Sequence, residues 1–167
     1  MPERQTIERA RRDKRQGKAP TTQAGEFVRE EIEHIREGKH GARSPAQAVA
    51  IGLSKARRAG VELPPPEKGQ ASEKTRKSAE HALEAGEKRP NAKPSPRRSR
   101  AITTALQREG QAAASETALA RQAKAAARER SPSERSAAAQ MAAKTKGPAE
   151  RSEAARKAAR TRAARQA

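Results

Sequence analysis

Large apolar side chains recur at helical spacing in one part of the chain. In the segment QAGEFVREEIEHIREGK they fall near positions i, i+3, i+4, i+8 and i+11, which is one stripe of an amphipathic helix. The stripe consists of Ala24, Phe27, Val28, Ile32 and Ile35. Gly38 follows at the position where a left-handed residue commonly ends a helix. The pattern therefore predicts a helix that stops at Gly38.

A second helix is predicted from its start signal. Ser44 can cap it, Pro45 suits the first helical position, and Gln47 completes a capping box. This helix stops at Gly60, and one face carries Val49, Leu53 and Ala56. A row of small residues that allows another helix to approach closely consists of Ala48, Gly52 and Ala56. Two antiparallel helices joined by about six residues form a helical hairpin.

Composition divides the chain into four segments. Residues 1–20 are predicted to form a basic arm with fluctuating helix, and residues 21–60 the helical hairpin domain. Residues 61–94 form a linker that contains several prolines and one short helix. Residues 95–167 form a basic, low-complexity tail rich in Ala and Arg.

The tail contains an internal repeat. Residues 131–146 align without gaps to residues 147–162, and nine of the sixteen positions are identical. Each unit places a proline second and a glutamate fourth, Glu134 or Glu150, which suits the positive end of a helix. Each unit is therefore expected to form a nascent helix of about three turns.

The amino-acid composition limits how much of this chain can be compact. Leu, Ile, Val and Phe together number 14 of 167 residues, whereas alanine numbers 38. Alanine favours helix but adds little to a core, and a chain so poor in large apolar side chains is typically disordered in part. The predicted fold is mainly α, with a small helical hairpin at about 21–60 and long, partly disordered basic helical arms.

The net charge points to a polyanionic partner. The chain carries 38 Lys and Arg against 20 Asp and Glu, and residues 95–167 alone hold 17 basic and 6 acidic residues. The basic segments lack the large apolar face that a membrane-surface helix needs, so no membrane partner is expected. A single aromatic residue, Phe27, excludes base-stacking platforms, and the absence of cysteine excludes thiolate chemistry.

Residues 25–60, GEFVREEIEHIREGKHGARSPAQAVAIGLSKARRAG, resemble the core of a bacterial domain-of-unknown-function family of small basic proteins. The likeness lies in a Gly-Lys-His hinge followed by Gln-Ala-Val-Ala-Ile-Gly-Leu-Ser-Lys-Ala. Members of that family are often labelled DNA-binding or plasmid-stabilisation proteins, so the resemblance implies DNA binding. The tail is similar to the Ala/Lys/Arg-rich tails of bacterial histone H1-like proteins.

Candidate nucleic-acid contacts lie in three places. The loop GKHGAR precedes a helix start, where free N–H groups can bind a phosphate, although a helix–helix turn whose glycines serve only the backbone geometry is the favoured explanation. The end of the second predicted helix is a basic face, and the tail supplies the rest. The predicted nucleic-acid-binding residues are Lys39, Arg43, Lys55, Arg57, Arg58, Arg97, Arg98, Arg100, Lys144, Lys146, Arg151, Arg156, Lys157, Arg160, Arg162 and Arg165.

Metal and catalytic sites are not expected from the sequence. His34, His40 and His81 have no His-x₃-His spacing, so we expect surface histidines, with Glu30 one turn before His34 as a surface partner. No Ser/His/Asp arrangement or nucleotide-binding loop is evident. The chain is therefore expected to be non-enzymatic and to bind no cofactor and no metal.

The function predicted from the sequence is largely sequence-independent DNA binding through phosphate neutralisation, with DNA bridging or compaction by the linked segments. RNA or ribosome binding uses the same chemistry and stays open. A third hypothesis is a protein-interaction module in which the stripe around Phe27 docks a partner. A helix-turn-helix is disfavoured because no strong third helix is evident. The expected location is the cytoplasm, at the nucleoid, because the N-terminal sequence lacks the apolar stretch of a secretory signal.

Overall fold

Helices make up most of the protein. The computed structural model describes residues 2–90 and 95–166, except for the side chains at 145, 146, 165 and 166. The elements are α1 (Arg4–Arg15), α2 (Pro20–Arg36), α3 (Pro45–Arg58), α4 (Glu73–Lys88), α5 (Pro96–Gln107), a 3₁₀ turn (Ala112–Ala114), α6 (Glu116–Glu129) and α7 (Pro132–Gln166). The prediction of a mainly α fold is confirmed. The chain forms two compact units, Met1–Gln122 and Ala123–Ala167.

The first unit is built around α2. Helix α2 packs against α1 and α3, α3 also packs against α4, and the 3₁₀ turn touches both α2 and α3. The predicted hairpin is therefore not a separate domain, because α1 and α4 complete the bundle. The segment predicted as an N-terminal arm is a packed helix, with Thr6, Ala10 and Asp13 buried. Small residues suffice for this packing because they let α1 lie close to its neighbour.

Phe27 is the largest side chain in the core and is 1% exposed. It lies in a cluster with Ala10, Ala24, Ala56, Val61 and Leu63, and Ile7, Leu53 and Ala59 pack against the outside of that cluster. Of the predicted stripe, Ala24, Phe27 and Ile35 are buried, whereas Val28 and Ile32 are partly buried. The stripe therefore faces the inside of the bundle.

Glycines permit the close approach of the helices. A Cβ on Gly52 would lie 2.6 Å from Cα of Val28, so the predicted row of small residues on α3 does bring α2 close. In the same way, a Cβ on Gly86 would collide with the carbonyl oxygen of Arg57. Helix α4 therefore lies directly against the C-terminal turn of α3.

Three helices end in the same motif. At Gly38 the N–H of Lys39 donates to the carbonyl of His34 at 3.0 Å, and the N–H of Gly38 donates to Ile35 at 3.1 Å. This is a Schellman motif, and Gly38 takes the positive φ of 75° that it requires. Gly17 and Gly60 end α1 and α3 with equivalent hydrogen bonds. The predicted stops at Gly38 and Gly60 are confirmed.

The start of α3 also follows the prediction. Ser44 Oγ accepts the N–H of Gln47 at 3.2 Å, and Pro45 is the first helical residue. The amide oxygen of Gln47 accepts from the N–H of Arg43 at 2.9 Å, one residue before the usual position in a capping box. The cap therefore fixes the end of the preceding loop as well as the helix.

The arms predicted to be partly disordered are helical. Ser95 caps α5, and Ser131 and Glu134 form a reciprocal capping box at the start of α7, at 2.7 and 3.2 Å. Alanine, lysine and arginine are good helix formers, and these caps supply the start signals. Gly147, with a φ of 66°, interrupts α7 at the junction of the two sequence repeats. Nearly all described side chains of α7 are exposed, so this helix has almost no core of its own.

Truncation of Phe27 tests the core. We expect Phe27→Ala to lower the free energy of unfolding by about 3–5 kcal/mol, because alanine leaves a cavity among side chains too small to fill it. Urea denaturation followed by circular dichroism at 222 nm measures the change. Ile102→Ala is the matched control, because Ile102 is 52% exposed on α5. Equal effects of the two substitutions would contradict this description of the core.

Candidate nucleic-acid interface

A basic groove lies where α3 ends beside α4 and α5. Its volume is about 620 Å³, and its lining residues are Arg58, Glu73, Lys74, Lys77, Ser78, His81 and Arg98. The contact between Gly86 and the backbone of Arg57 and Arg58 holds α4 against the end of α3. The last turn of α3 thus presents Arg58 to the first half of α4. Two residues predicted separately, Arg58 and Arg98, meet in this groove.

The acidic residue of the groove is already neutralised. Arg76 forms salt bridges with Glu73 at 2.8 Å and Glu80 at 2.5 Å, and its hydrogen bond lowers the pKa of Glu73. The groove is lined by four cations, Arg58, Lys74, Lys77 and Arg98. None of them forms a salt bridge within the described part of the chain. The groove therefore concentrates positive charge that no acidic side chain in the described part of the chain compensates.

Three predicted contact residues are instead held within the chain. Arg57 is buried and donates from Nε to the carbonyl of Leu63 at 3.0 Å and from a terminal nitrogen to Pro64 at 2.9 Å. Burial also lowers its pKa. Lys55 forms salt bridges with two buried glutamates, and Lys39 pairs with Glu37 at 2.9 Å. Arg57 and Lys55 face the interior because α3 is enclosed by α2 and α4, which the sequence pattern did not indicate.

The GKHGAR loop does not offer the predicted phosphate site. The N–H of Gly41 donates to the carbonyl of Leu106 at 2.9 Å, and that of Ala42 donates to Gly110 at 3.1 Å. A Cβ on Gly41 would collide with the carbonyl of Glu109. The close approach that Gly41 permits is therefore to the segment after α5, and the loop is a docking turn. Arg43 at its end stays exposed.

Exposed cations line α5 and α7. All salt bridges among the described residues lie between Glu3 and Lys88, so the basic side chains of α5 to α7 have no acidic partner within the part of the chain that is described. The exposed predicted residues here are Arg97, Arg98, Arg100, Lys144, Arg151, Arg156, Lys157, Arg160 and Arg162. The side chains of Lys146 and Arg165 lie outside the described residues.

Sequence reasoning missed other free cations. Lys74 and Lys77 were assigned to a linker, and Arg11, Arg12 and Arg15 of α1 to an arm, yet all five are exposed on packed helices. None of the five forms a salt bridge among the described side chains. The alternation of basic and small residues in α4 was the available signal, because it leaves one face of the helix basic while Ala79 and Ala82 are buried.

A second polar cluster lies inside the bundle. Glu30 and Glu31 on α2 are 2% and 0% exposed, and Lys55 of α3 reaches them at 3.5 and 2.5 Å. Glu30 also accepts the backbone N–H of Glu3 at 2.9 Å. The predicted surface pair of Glu30 with His34 is wrong, because Glu30 turns inward. A buried carboxylate is tolerated only with such partners.

Two of the three histidines are not surface residues. His34 and His40 are largely buried, and their ring centroids lie 6.1 Å apart, whereas His81 is exposed as predicted. His34 Nε2 lies 3.0 Å from a carboxylate oxygen of Glu3, and this hydrogen bond lowers the pKa of Glu3. Together with Glu31, the two histidines form a group of potential metal ligands. The Schellman turn at Gly38 brings them together, which their spacing in sequence did not reveal.

Comparison with known proteins adds no relative. No protein-family model matches the chain, and neither curated proteins nor solved structures show a significant match. None of the described helices is both long enough and apolar enough to cross a membrane.

Lys55 and Lys14 form a matched pair for testing the buried cluster. We expect Lys55→Ala to destabilise the protein by about 3–5 kcal/mol, because it leaves two buried carboxylates without their cation. Lys14→Ala removes the same charge from an exposed salt bridge with Glu62 at 2.8 Å and should change little. Urea denaturation of both variants measures the difference. Comparable midpoints for the two variants would show that Glu30 and Glu31 are solvated.

Proposed function

We propose that this protein is a non-enzymatic nucleic-acid-binding protein that binds duplex DNA largely independently of sequence. The observation that supports the proposal most directly is the distribution of ion pairs. Residues 3–88 neutralise most of their acidic groups internally, whereas the groove and α5 to α7 carry cations with no acidic partner among the described side chains. Unpaired cations on an exposed surface are what a polyanion requires.

The mechanism is phosphate neutralisation. Each lysine or arginine that contacts a phosphate releases condensed counterions, so the logarithm of affinity falls with the logarithm of salt concentration by about 0.9 per contact. The groove suits a phosphate backbone because Arg58, Lys74, Lys77 and Arg98 surround one concavity. Arginine donates in a planar fork to phosphate oxygens, and lysine acts as a compact charge.

Several features favour binding without base readout. The small residues of α3 pack against α2, and its C-terminal turn packs against α4. Helix α3 is therefore enclosed, whereas a recognition helix must be exposed to enter a major groove. The chain has one aromatic residue, and Phe27 is buried, so base stacking is unavailable. Contacts limited to phosphate carry no direct sequence information.

The two alternative functions fare differently. The hypothesis that the stripe around Phe27 docks a protein partner is disfavoured, since Phe27 and Ile35 are buried within the first unit. RNA binding would use the same cations as DNA binding. We prefer DNA because the resemblance of residues 25–60 to a family labelled DNA-binding implies a DNA partner. Basic surfaces on both compact units would let one molecule contact two stretches of duplex, which supports bridging or compaction at the nucleoid.

Charge-removal variants test the proposal. In one variant Arg58, Lys74, Lys77 and Arg98 become alanine, and in another Lys144, Arg156, Lys157, Arg160 and Arg162 do. The control removes four exposed cations that are paired with acids, Arg4, Lys14, Arg29 and Lys88. Substitution is preferable to truncation after residue 94, because truncation would also remove the buried residues Ala113 and Ala114.

The measurement is a salt titration of binding to duplex DNA and to structured RNA. We expect the groove variant and the α7 variant each to lose affinity equally across DNA sequences, with the slope reduced by at most about 3.6 in the groove variant and about 4.5 in the α7 variant. The control loses the same net charge as the groove variant and should keep the slope nearly unchanged. Equal losses in the control and groove variants would contradict the proposed interface. Tighter binding to RNA at matched salt would assign the interface to RNA.

A further inference from the structure

We propose that Glu31, His34 and His40 form a binding site for a divalent transition metal ion, with Zn²⁺ as the best match to the ligands. One ligand atom from each residue lies within 4.8 Å of the other two. A carboxylate and two imidazoles are a common ligand set for zinc, which binds nitrogen and oxygen ligands at about 2.0–2.2 Å. The site joins α2 to the loop that precedes α3.

The hydrogen bond of His40 supplies the first argument. Its Nδ1 lies 3.1 Å from the carbonyl oxygen of Gly41, and a carbonyl only accepts, so Nδ1 carries the hydrogen. In the neutral ring the lone pair is then on Nε2, which lies 3.4 Å from a carboxylate oxygen of Glu31. The repulsion between a lone pair and a carboxylate oxygen is relieved only by a positive charge between them, either a proton on Nε2 or a metal ion. Histidine ligands of metals commonly donate their other N–H to a backbone carbonyl in this way.

The burial of Glu31 supplies the second argument. Its side chain is 0% exposed, and neither of its carboxylate oxygens accepts a hydrogen bond from any described residue. Lys55 is the nearest cation to Glu31, at 2.5 Å, but it also serves the buried carboxylate of Glu30. Two buried carboxylates therefore share one lysine, and a divalent cation would more than offset the single negative charge that remains.

His34 completes the set with its own orienting partner. Glu3 accepts from Nε2 of His34 at 3.0 Å and also pairs with Lys39 at 3.4 Å. Nδ1 of His34 makes no hydrogen bond within the described chain, so it is the nitrogen that stays available for a ligand bond. A carboxylate behind a histidine ligand raises the basicity of the ring and fixes its orientation. Ligand atoms around tetrahedral zinc lie about 3.3–3.5 Å apart, which the 3.4 Å between His40 and Glu31 matches.

Metal bound here would act as a structural clamp. It would link α2 to the GKHGAR loop, whose amides dock on the segment after α5, and through Glu3 it would reach the start of α1. Because an ion that binds only the folded state stabilises it by mass action, zinc should raise the melting temperature of the protein. This inference does not depend on the proposed function, and its test contains no nucleic acid.

The test uses the full-length, tag-free protein, stripped with a chelator and titrated with ZnCl₂ by calorimetry. We expect one ion per chain, and we expect His34→Ala and His40→Ala each to weaken binding at least tenfold. His81→Ala is the matched control, because His81 is exposed and should leave the affinity unchanged. Circular dichroism checks that each variant is helical. Should an alanine variant unfold, His40→Gln tests the same ligand with a side chain of similar size.

Titration with Co²⁺ gives an independent readout. Intense visible absorption bands of a four-coordinate ion are expected in the wild type and in His81→Ala, and are expected to be lost in His34→Ala and His40→Ala. Absence of zinc binding to the folded wild type would overturn the proposal. Equal weakening by His81→Ala would also overturn it, because binding would then be a general property of the histidines.

Discussion

Lys55 reaches Glu31 at 2.5 Å and Glu30 at 3.5 Å, and this contact joins α3 to α2 inside the bundle. The fold depends on it because both carboxylates are buried on the helix that packs against α1 and α3. A chain with 14 Leu, Ile, Val and Phe residues cannot fill such an interior with large apolar side chains alone. Close contacts at Gly52 and Gly86 and internal ion pairs take their place. Lysines and arginines that form internal ion pairs are not available to bind a partner at the surface.

The separation of paired from unpaired charge follows from the same constraint. Where helices pack, as in α1 to α4, acidic residues are common and most of them meet a lysine or arginine. Helix α7 is almost wholly exposed and has few acids, and none of its described lysines and arginines forms a salt bridge. Two places in the first unit depart from this pattern: the outer face of α1, where Arg11, Arg12 and Arg15 are exposed, and the groove, where Arg76 takes up Glu73 and leaves Lys74 and Lys77 without an acidic partner among the described residues. The net charge of a segment alone could not distinguish paired cations from unpaired ones.

Local signals predicted local structure well. The stripe around Phe27, the cap at Ser44 and the stops at Gly38 and Gly60 are all confirmed, because each depends on residues within one helix and its immediate ends. The packing of α1 and α4 was not predicted, since alanine and glycine contacts leave no strong apolar periodicity. The roles of Lys55 and Arg57 could not be separated from that of Arg58, because all three lie within one turn of α3. The contact between His34 and His40 depends on the turn at Gly38, so the spacing of the two histidines in the sequence did not reveal it.

Unpaired and salt-bridged cations lie on different parts of the surface, and the reactivity of each lysine tests this separation one residue at a time. Pulse acetylation of the intact protein, with and without saturating duplex DNA, can be read at each lysine by mass spectrometry. DNA is expected to protect Lys74, Lys77, Lys144 and Lys157 severalfold, and to leave the salt-bridged but exposed Lys39 and Lys88 unchanged. Protection of Lys39 and Lys88 as strong as that of Lys77 and Lys157 would contradict the account.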